Sequence, residues 1–399
     1  MNRRFLFFDN PRQAIYLLIT VLLCIGAVNV YSASYVIATG SLKVSGTYFF
    51  VKHLGLGLAG LAVMRIVEAV GYKRILNYRF IMFCVLVVIA MLIYVDKFGE
   101  ATKGAQRWMY VAGISIQPSE IAKVVVIMLT SRFLGRSLLR NQPISLLSPY
   151  TKECVLITGV FVLLVLLQPD AGTAAIIGGL MVGVYMAAGI HLREVGAIAL
   201  GGVLAVAAVI IKSPYRLARA KVWLDPWSDA QNNGYQMVQS LLSIGSGGLT
   251  GTNWGQGTGK FFYLPEAHTD FAFAIYCQEN GFLGGVILLL LFALLGCAFL
   301  RIVFNAKEPR GYLLAAGVTF LVIGQSVANM AMVCGLLPVI GVPLAFISYG
   351  GSSMIVTMGA VGMLLSVYDE EAKDEALAGL PPEQRREGLQ MVRGRGVKP

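Results

Sequence analysis

Three ionisable side chains, Glu266, His268 and Asp270, stand close together in the stretch YLPEAHTDFAFA. A long apolar segment begins directly after them, at residue 271. Ionisable groups at the edge of a bilayer are costly, so they usually have a partner or a function. A carboxylate at a helix entrance, beside a medium of low dielectric, can serve as a general base, whereas the simpler alternative is that Asp270 caps the helix.

A pair of arginines in the stretch SPYRLARAKVWLDPW is a second candidate for chemistry. Arg216 and Arg219 are three residues apart, so they share one face if the segment is helical. Guanidinium groups bind phosphate oxygens well, which favours a site for a lipid-linked phosphate. The same stretch, with Trp223 and Trp227, also suits an amphipathic helix at the membrane interface, and both interpretations stay open.

Glycine is unusually dense in IGSGGLTGTNWGQGTGK, which has seven glycines between residues 245 and 259. Such a segment either lets backbone N–H groups approach an anion or sugar closely, or is merely a flexible loop. A nucleotide-binding P-loop does not fit. Trp254 occupies the place of the first glycine of GxxxxGK, and Phe261 follows Lys260 where Ser or Thr is required.

Further polar side chains fall inside apolar segments. Glu120 and Lys123 in QPSEIAK are three residues apart, so they can pair on one helix face. Asp170 in QPDAGT, together with Gln278 and Glu279, should face an interior cavity, because polar groups avoid lipid. These residues predict a polar cleft between helices.

The composition of the chain predicts an integral membrane protein that positions these groups. Of 399 residues, 57% are hydrophobic and 13% are charged, whereas soluble domains are about half apolar and about a quarter charged. The net charge is +11, but the sequence has no basic stripe interleaved with stacking aromatic residues, which argues against nucleic-acid binding. The six cysteines lie in or near apolar segments without a CxxC pair, so neither a zinc site nor a disulfide framework is predicted.

Ten apolar segments are each close to the roughly 20 residues that a spanning helix needs. They are 14–34, 48–69, 79–96, 117–134, 153–168, 171–190, 194–212, 271–302, 311–334 and 350–368. The first segment lacks a small-x-small cleavage site, so we expect it to be retained as a helix. The fold is therefore predicted to be all-α, with about ten transmembrane helices in a single domain over residues 14–368.

Lysine and arginine positions set the predicted orientation, because cytoplasmic loops carry the excess of these residues. Both the N-terminus, residues 1–13, and the C-terminus are predicted to be cytoplasmic. One large extracytoplasmic loop, residues 213–270, lies between helices 7 and 8, and a loop of this length is usually functional. The charged tail, residues 369–399, is predicted to be disordered.

These stretches, in this order, resemble the SEDS family of bacterial cell-wall proteins, which includes FtsW, RodA and SpoVE. The matching stretches are KGAQRW (103–108), QPSEIAK (117–123), QPDAGT (168–173), GYQMVQSLLSIGSGG (234–248), YLPEAHTDFAFA (263–274) and GLLPVIGVPLAFISYGGSS (335–353). They cover the chain from the third predicted helix to the tenth. The set mixes division-type and elongation-type features and leans towards the division-type FtsW and SpoVE branch.

The resemblance implies a peptidoglycan glycosyltransferase of the bacterial cytoplasmic membrane that polymerises lipid II at its outer face for cell division or cell shape. Asp270 matches the family's essential external aspartate and would be catalytic. Residues expected to bind substrate are Arg107, Trp108, Glu120, Lys123, Asp170, Arg216, Arg219, Glu266 and His268. The implied partners are a class B penicillin-binding protein, which is the transpeptidase, and other proteins of the division or elongation complex.

A single carboxylate is enough for this reaction. A glycosidase needs two, because the departing sugar oxygen must be protonated, whereas a lipid pyrophosphate leaves as a stable anion. Asp270 would take the proton from the acceptor sugar's 4-hydroxyl. Arg216, Arg219 or a divalent cation, Mg²⁺ or Mn²⁺, would balance the pyrophosphate charge. The sequence has no evident all-protein metal site, and a cation held by one carboxylate and the substrate would leave little trace in it.

The chain departs from the family pattern at three places. QENG (278–281) stands where EELG is common, Ala345 replaces a proline, and TGTNWGQG is less regular than GLGxG. The first departure removes an acid and alters the charge expected for the cleft, so the family's role for Glu279 does not transfer directly.

Two other functions remain as alternatives. A lipid II flippase would use buried polar groups such as Glu120 and Asp170 along a path through the membrane. A non-catalytic scaffold for the transpeptidase would leave Asp270 as a helix cap only. The predicted external position of Asp270 favours catalysis over both.

Overall fold

A computed structural model describes residues 10–102, 105–111, 114–146, 148–197, 201, 222–261 and 263–378. Its principal helices are α1 (Pro11–Val36), α2 (Tyr48–Val70), α3 (Tyr72–Ile75), α4 (Tyr78–Phe98), α5 (Pro118–Leu139), α6 (Lys152–Leu167), α7 (Ala171–Ala187), α8 (Tyr235–Ser246), α9 (Ala272–Asn305), α10 (Pro309–Thr319), α11 (Gln325–Val333) and α12 (Gly351–Ala378). A π-helical turn, Phe320–Gly324, joins α10 to α11.

Six helical stretches among the described residues are long and apolar enough to cross a bilayer. They are Pro11–Ser41, Tyr48–Val70, Tyr78–Phe98, Ala272–Asn305, Pro309–Val333 and Gly351–Ala372. A spanning helix needs about 20 predominantly apolar residues, and these stretches contain 21 to 34 residues. The chain is therefore a multi-pass membrane protein.

Helices occupy nine of the ten spans predicted from the sequence. Three of them, α5, α6 and α7, are not among the six, because α5 carries several charged residues and α6 and α7 have only 16 and 17 residues. The remaining predicted span, 194–212, lies mostly outside the described residues. The total of ten spans and the position of the large loop therefore stay predictions.

The prediction of an all-α chain is wrong between α4 and α5, where three short strands form an antiparallel sheet. Strand β1 (Glu100–Thr102) pairs with β2 (Ala105–Val111), and β2 pairs with β3 (Ile114–Ile116). The run QRWMYV contains aromatic and β-branched residues, which suit strands. Gly104 and Gly113 fall between the strands in the sequence, where glycine is a typical turn residue.

The predicted disordered tail begins too early, because α12 continues to Ala378. The Glu371 carboxylate accepts hydrogen bonds from the backbone N–H groups of Lys307 and Glu308, at 2.9 and 3.2 Å. Glu370 lies 3.4 Å from the Lys73 ammonium. These contacts hold α12 beyond residue 368 against α3 and the connection between α9 and α10, which explains why the helix extends past residue 368. Residues 379–399 lie outside the described residues.

The two ends of the bundle differ in chemistry. Helix α9 has 34 residues, which corresponds to about 50 Å along the helix at 1.5 Å per residue. Asp270 lies before its first turn, and we call that end of the bundle the Asp270 end. At the opposite end, which we call the Glu68 end, the buried Glu68 carboxylate lies 2.8 Å from Arg12 and 2.9 Å from Arg65, and accepts a hydrogen bond from Tyr16 at 2.5 Å.

The glycine-rich segment, residues 245–260, packs its backbone directly against α9. Helix α9 bends at Gly281, which has φ +67° and ψ −168°. A Cβ at Gly281 would lie 2.4 Å from the Gly251 nitrogen, and a Cβ at Gly251 would lie 2.1 Å from the Glu279 carbonyl oxygen. Backbone meets backbone here, so no side chain fits. These glycines serve helix packing, a use that the sequence analysis did not consider.

Alanine substitutions at two glycines separate this packing from backbone strain. Gly251 and Gly255 both have positive φ, at +86° and +82°, but a Cβ at Gly255 would meet nothing within 4 Å. Gly255→Ala should cost only the about 1–2 kcal/mol of a left-handed alanine. Gly251→Ala should cost about 1–3 kcal/mol more, because it overpacks the contact with α9. Thermal unfolding midpoints of the two purified variants check this, and equal midpoints would contradict the packing role.

Candidate functional site

Asp270 lies immediately before α9 and is partly exposed. The N-cap of α9 is Phe271, so Asp270 stands one residue ahead of the capping position. Phe271 makes no side-chain hydrogen bond to the first turn of the helix. A carboxylate at this position agrees with the general-base interpretation.

Donors from three different elements hold the backbone around Asp270. The bonds are Tyr349 N to the His268 carbonyl (2.9 Å), Asn329 Nδ2 to the Asp270 carbonyl (2.8 Å) and Asn29 Nδ2 to the Ala272 carbonyl (3.0 Å). Both asparagines are fully buried. Buried carbonyls are costly without a donor, so these bonds fix alternate peptide groups along the approach to α9.

The segment that connects α11 to α12, residues 335–350, lies between the starts of α7 and α9. We call it the return segment. A Cβ at Gly172, in the first turn of α7, would lie 2.2 Å from the Ile340 carbonyl oxygen. A Cβ at Gly341 would lie 3.8 Å from an Asp270 carboxylate oxygen. The return segment therefore brings the first turn of α7 and Asp270 to the same end of the bundle.

Asp170 and Arg107 meet at the start of α7. The Asp170 carboxylate caps this helix, accepting hydrogen bonds from the backbone N–H and the hydroxyl of Thr173 at 3.1 and 2.9 Å. The Arg107 guanidinium donates to the Pro169 carbonyl at 2.6 Å and lies 3.7 Å from the Asp170 carboxylate. Trp108 stands next to Arg107 in β2 and is partly exposed. Two of the matched motifs thus form one charged cluster at the Asp270 end.

The predicted pairing of Glu120 with Lys123 is confirmed. The Lys123 ammonium lies 2.8 Å from the Glu120 carboxylate, and both residues are buried in the first turns of α5. Lys123 also donates to the side-chain oxygen of Gln325 on α11, at 2.7 Å. Gln325 in turn donates to the Pro343 carbonyl of the return segment, at 3.3 Å. The pair is therefore neutralised internally, and it helps to anchor the return segment.

Glu266 closes the tight turn that leads into Asp270. Its backbone lies in the left-handed region, with φ +57°, which is uncommon for residues other than glycine. The Glu266 carbonyl accepts hydrogen bonds from the backbone N–H groups of Thr269 and Phe271, at 3.2 and 3.1 Å. Its carboxylate accepts one from the Thr269 hydroxyl at 2.6 Å. These contacts give Glu266 a structural role. Substrate binding by Glu266 stays a prediction.

His268 packs into an aromatic cluster at the Asp270 end. Its ring centroid lies 4.9 Å from that of Phe49 and 5.9 Å from that of Tyr349. Burial raises the pKa of the Tyr349 phenol, so that side chain stays neutral near pH 7. Substrate binding by His268 stays a prediction. Its ring contacts tie the turn before α9 to α2 and to the return segment.

A buried ion pair that the sequence analysis missed docks the glycine-rich segment. The Lys260 ammonium lies 2.8 Å from the Glu279 carboxylate and donates to the Ser32 hydroxyl at 2.8 Å. Ser32 donates to the same carboxylate at 2.6 Å. The side chains of Lys260 and Glu279 are 5% and 0% exposed. An acid inside an apolar helix requires a cationic partner, but nothing in the sequence pointed to Lys260 as that partner.

Gln278 explains the departure QENG. Its side-chain oxygen accepts a hydrogen bond from the Gly259 N–H at 3.0 Å. Its amide nitrogen donates to the hydroxyls of Ser246 and Thr258, at 2.8 and 3.2 Å. An ionised glutamate only accepts hydrogen bonds, so it could not make both kinds of contact. Gln278 and Glu279, which were predicted to face an interior cavity, instead face the glycine-rich segment.

Comparison with known proteins gives the family. A family model for FtsW, RodA and SpoVE, described as cell cycle protein, matches residues 12–373. The chain belongs to the FtsW/RodA/SpoVE family. The family that the motifs suggested is thus confirmed.

Named relatives cover most of this FtsW/RodA/SpoVE-family chain. It is 34% identical to a probable peptidoglycan glycosyltransferase FtsW from Geobacter metallireducens, over 88% of this chain and 93% of that protein. It is 34% identical to stage V sporulation protein E of Bacillus subtilis, over 90% and 97% of the two chains. The peptidoglycan glycosyltransferase MrdB of Escherichia coli is also 34% identical, over 90% and 97%.

Two solved structures share the fold. One, described as "Structural coordination of polymerization and crosslinking by a peptidoglycan synthase complex", has a TM-score of 0.74 at 24% identity and covers 92% of this chain and 99% of its own. The rod shape determining protein RodA of Thermus thermophilus has a TM-score of 0.65 at 24% identity, over 92% and 98%.

Two predicted site residues of this family member, Arg216 and Arg219, lie outside the described residues. Within the part of the chain that the structure describes, no group of three or more His, Cys, Asp and Glu side chains comes together to hold a metal ion. The Asp270 carboxylate lies beside Gly341 of the return segment, and Asp170 lies at the start of α7, whose first turn contacts Ile340 of the same segment. A cation bound there would need further oxygen ligands from substrate or water.

Charge removal at the buried pair tests how the glycine-rich segment is docked. Lys260→Met or Glu279→Gln alone should each destabilise the protein by about 3–5 kcal/mol, because the remaining charge is buried without its partner. The double variant should be clearly more stable than either single variant. Thermal unfolding midpoints in one detergent give the ranking.

A matched control is the more exposed pair of Lys73 and Glu370, which lie 3.4 Å apart. Lys73→Met should change stability by at most about 1 kcal/mol, because solvent screens exposed pairs. If the double variant at 260 and 279 is less stable than both single variants, the buried pair is not the docking contact.

Proposed function

We propose that this protein is a peptidoglycan glycosyltransferase that polymerises lipid II into glycan strands at the outer face of the bacterial cytoplasmic membrane and releases undecaprenyl pyrophosphate. The observation that carries the proposal is the Asp270 carboxylate beside Gly341, at the same end of the bundle as Arg107 and Asp170. Relatives named as peptidoglycan glycosyltransferases, 34–36% identical over 88% of the chain, support the same activity.

The chemistry needs one base and no acid. The ionised Asp270 carboxylate accepts the proton of the acceptor sugar's 4-hydroxyl as that oxygen forms a bond to the donor's anomeric carbon. The bond from the anomeric carbon to the pyrophosphate oxygen breaks, and its electron pair leaves with the lipid pyrophosphate. The proton stays on Asp270 until solvent removes it. The leaving group needs charge balance rather than protonation, because the pyrophosphate is stable as an anion.

We propose that a divalent cation, Mg²⁺ or Mn²⁺, balances the negative charge of the leaving pyrophosphate. Mg²⁺ is usually bound by one or two carboxylates together with substrate phosphates and water, and Asp270 or Asp170 can supply such a ligand. Arg216 and Arg219 are proposed to bind the pyrophosphate from the large loop. Arg107 adds a positive charge at the same end of the bundle.

The proposal includes the predicted topology and partner. About ten transmembrane helices, cytoplasmic termini and a large extracytoplasmic loop at 213–270 would place Asp270 outside the cytoplasm, where lipid II headgroups are polymerised. A class B penicillin-binding protein would crosslink the strands, and other proteins of the division or elongation complex would act with it. The description of the structural neighbour as a peptidoglycan synthase complex supports such a pairing.

The flippase alternative is less well supported. A flippase needs polar groups available to a headgroup through the depth of the membrane. Glu120 and Lys123 are paired with each other at 2.8 Å and buried, and Lys123 is also bonded to Gln325. Side chains that are buried and paired with each other in this way are better suited to helix packing than to binding a lipid headgroup during transport. A scaffold role would not require a carboxylate ahead of the N-cap of α9.

Asp270→Asn should abolish polymerisation without reducing expression, because the amide keeps the shape of the side chain but cannot accept the proton. Removal of a general base typically costs at least about 10²-fold in rate. The measurement is glycan-chain formation from purified lipid II by the protein with its partner, in buffer containing Mg²⁺ or Mn²⁺.

Asp229→Asn is the matched control, because Asp229 is a partly exposed aspartate in the short turn Pro226–Asp229. It should polymerise lipid II at the wild-type rate. Polymer yield from Asp270→Asn equal to that of Asp229→Asn would remove the catalytic role and favour the flippase or the scaffold.

A further inference from the structure

Asn329 makes an unusual double contact beside the proposed base. Its amide nitrogen donates to the Asp270 carbonyl at 2.8 Å and to the Val342 carbonyl at 2.6 Å. A side-chain amide has two N–H hydrogens, so both are used, one on each side of the site. Asn329 is fully buried, and among the described residues its oxygen has no hydrogen-bond partner. The residue is therefore placed for its donors rather than for its acceptor.

The two bonds fix the return segment relative to Asp270. Val342 is the neighbour of Gly341, whose Cβ position lies 3.8 Å from an Asp270 carboxylate oxygen. The Asn329 amide thus sets the distance between the backbone of residue 270 and the return-segment backbone at residues 341–342, which faces the Asp270 carboxylate. Tyr349 N makes a second bond between the return segment and the turn before α9, at the His268 carbonyl, and Asn29 holds the Ala272 carbonyl from α1. Asn329 is the side chain that bonds both the Asp270 carbonyl and the carbonyl beside Gly341.

We propose that Asn329 is a positioning residue for glycosyl transfer, which holds the Asp270 carboxylate in reach of the acceptor hydroxyl. This inference rests on the proposed function, in which Asp270 is the base. Asn329 itself touches neither substrate nor reacting atoms. Its amide sets where Asp270 stands, and the return segment closes the other side of the same site.

A positioning role predicts a loss in turnover rather than in substrate binding. Arg107 and Asp170, which are assigned to substrate binding, make no hydrogen bond to Asn329. A displacement of about 1 Å in a reacting group costs about 10²-fold in rate. We therefore expect Asn329→Leu, which keeps the bulk and removes both donors, to lower kcat about 100-fold with KM within about threefold of the wild type.

The experiment measures kcat and KM for lipid II polymerisation by the full chain with its partner, per mole of monodisperse protein. Asn329→Leu is compared with Asn329→Gln, which retains two N–H donors and should recover part of kcat. Ser240→Ala is the stability control. It removes another buried donor to a backbone carbonyl near α11, the 2.8 Å bond to Val333, and should keep the wild-type kcat.

The proposal is overturned if Asn329→Leu keeps kcat within about twofold of the wild type, or if kcat follows the thermal unfolding midpoint across all three variants. If Asn329→Leu does not yield monodisperse protein, Asn329→Asp, which has the same size and lacks the amide donors, is judged by the same two results. Asp270→Asn is measured alongside. An inactive Asp270→Asn with an active Asn329→Leu removes only the positioning role, whereas an active Asp270→Asn removes the proposed function itself.

Discussion

Backbone carbonyls at the start of α9 must find donors inside an apolar bundle, and the rest of the site depends on how this requirement is met. The residues before the first helical turn have no helical partners of their own, and water is scarce among packed helices. Buried amides on α1 and α11 supply donors, and the return segment supplies another. The carboxylate of Asp270 is thereby carried on a peptide group that is fixed from several sides.

The same constraint brings distant parts of the sequence together. Lys123 on α5 reaches Gln325 on α11, and Gln325 reaches the return segment, so one chain of polar contacts runs from a buried ion pair to the backbone beside Asp270. The start of α7, with Asp170 and Arg107, packs against the other side of the return segment. A base held in place and a cationic side chain at the same end of the bundle suit a glycosyl transfer with a pyrophosphate leaving group.

Sequence reasoning succeeded where the signal was local. Apolar runs predicted the membrane-crossing helices because bilayer thickness sets their length, and the three-residue spacing of Glu120 and Lys123 predicted their pairing. It failed where the outcome depends on a partner far along the chain. The helical end of α12 is held by residues 307–308. The role of Lys260 as an ion-pair partner is evident only when the fold places it against Glu279. The role of Asn329 is evident only when the fold places it between Asp270 and Val342. The short sheet at 100–116 was missed because β1 and β3 have only three residues each and β2, AQRWMYV, does not alternate strictly between polar and apolar residues.

The central claim is that Asp270 stands at an opening on the outer face of the membrane, and thiol labelling in intact spheroplasts tests it most directly. Asp270→Cys is made in a background in which the six native cysteines are replaced, and Glu371→Cys marks the opposite end of the bundle. A small membrane-impermeant thiol reagent should label Asp270→Cys in intact cells, and Glu371→Cys only after permeabilisation. Labelling of Asp270→Cys only after permeabilisation would place the carboxylate on the cytoplasmic side and contradict the account.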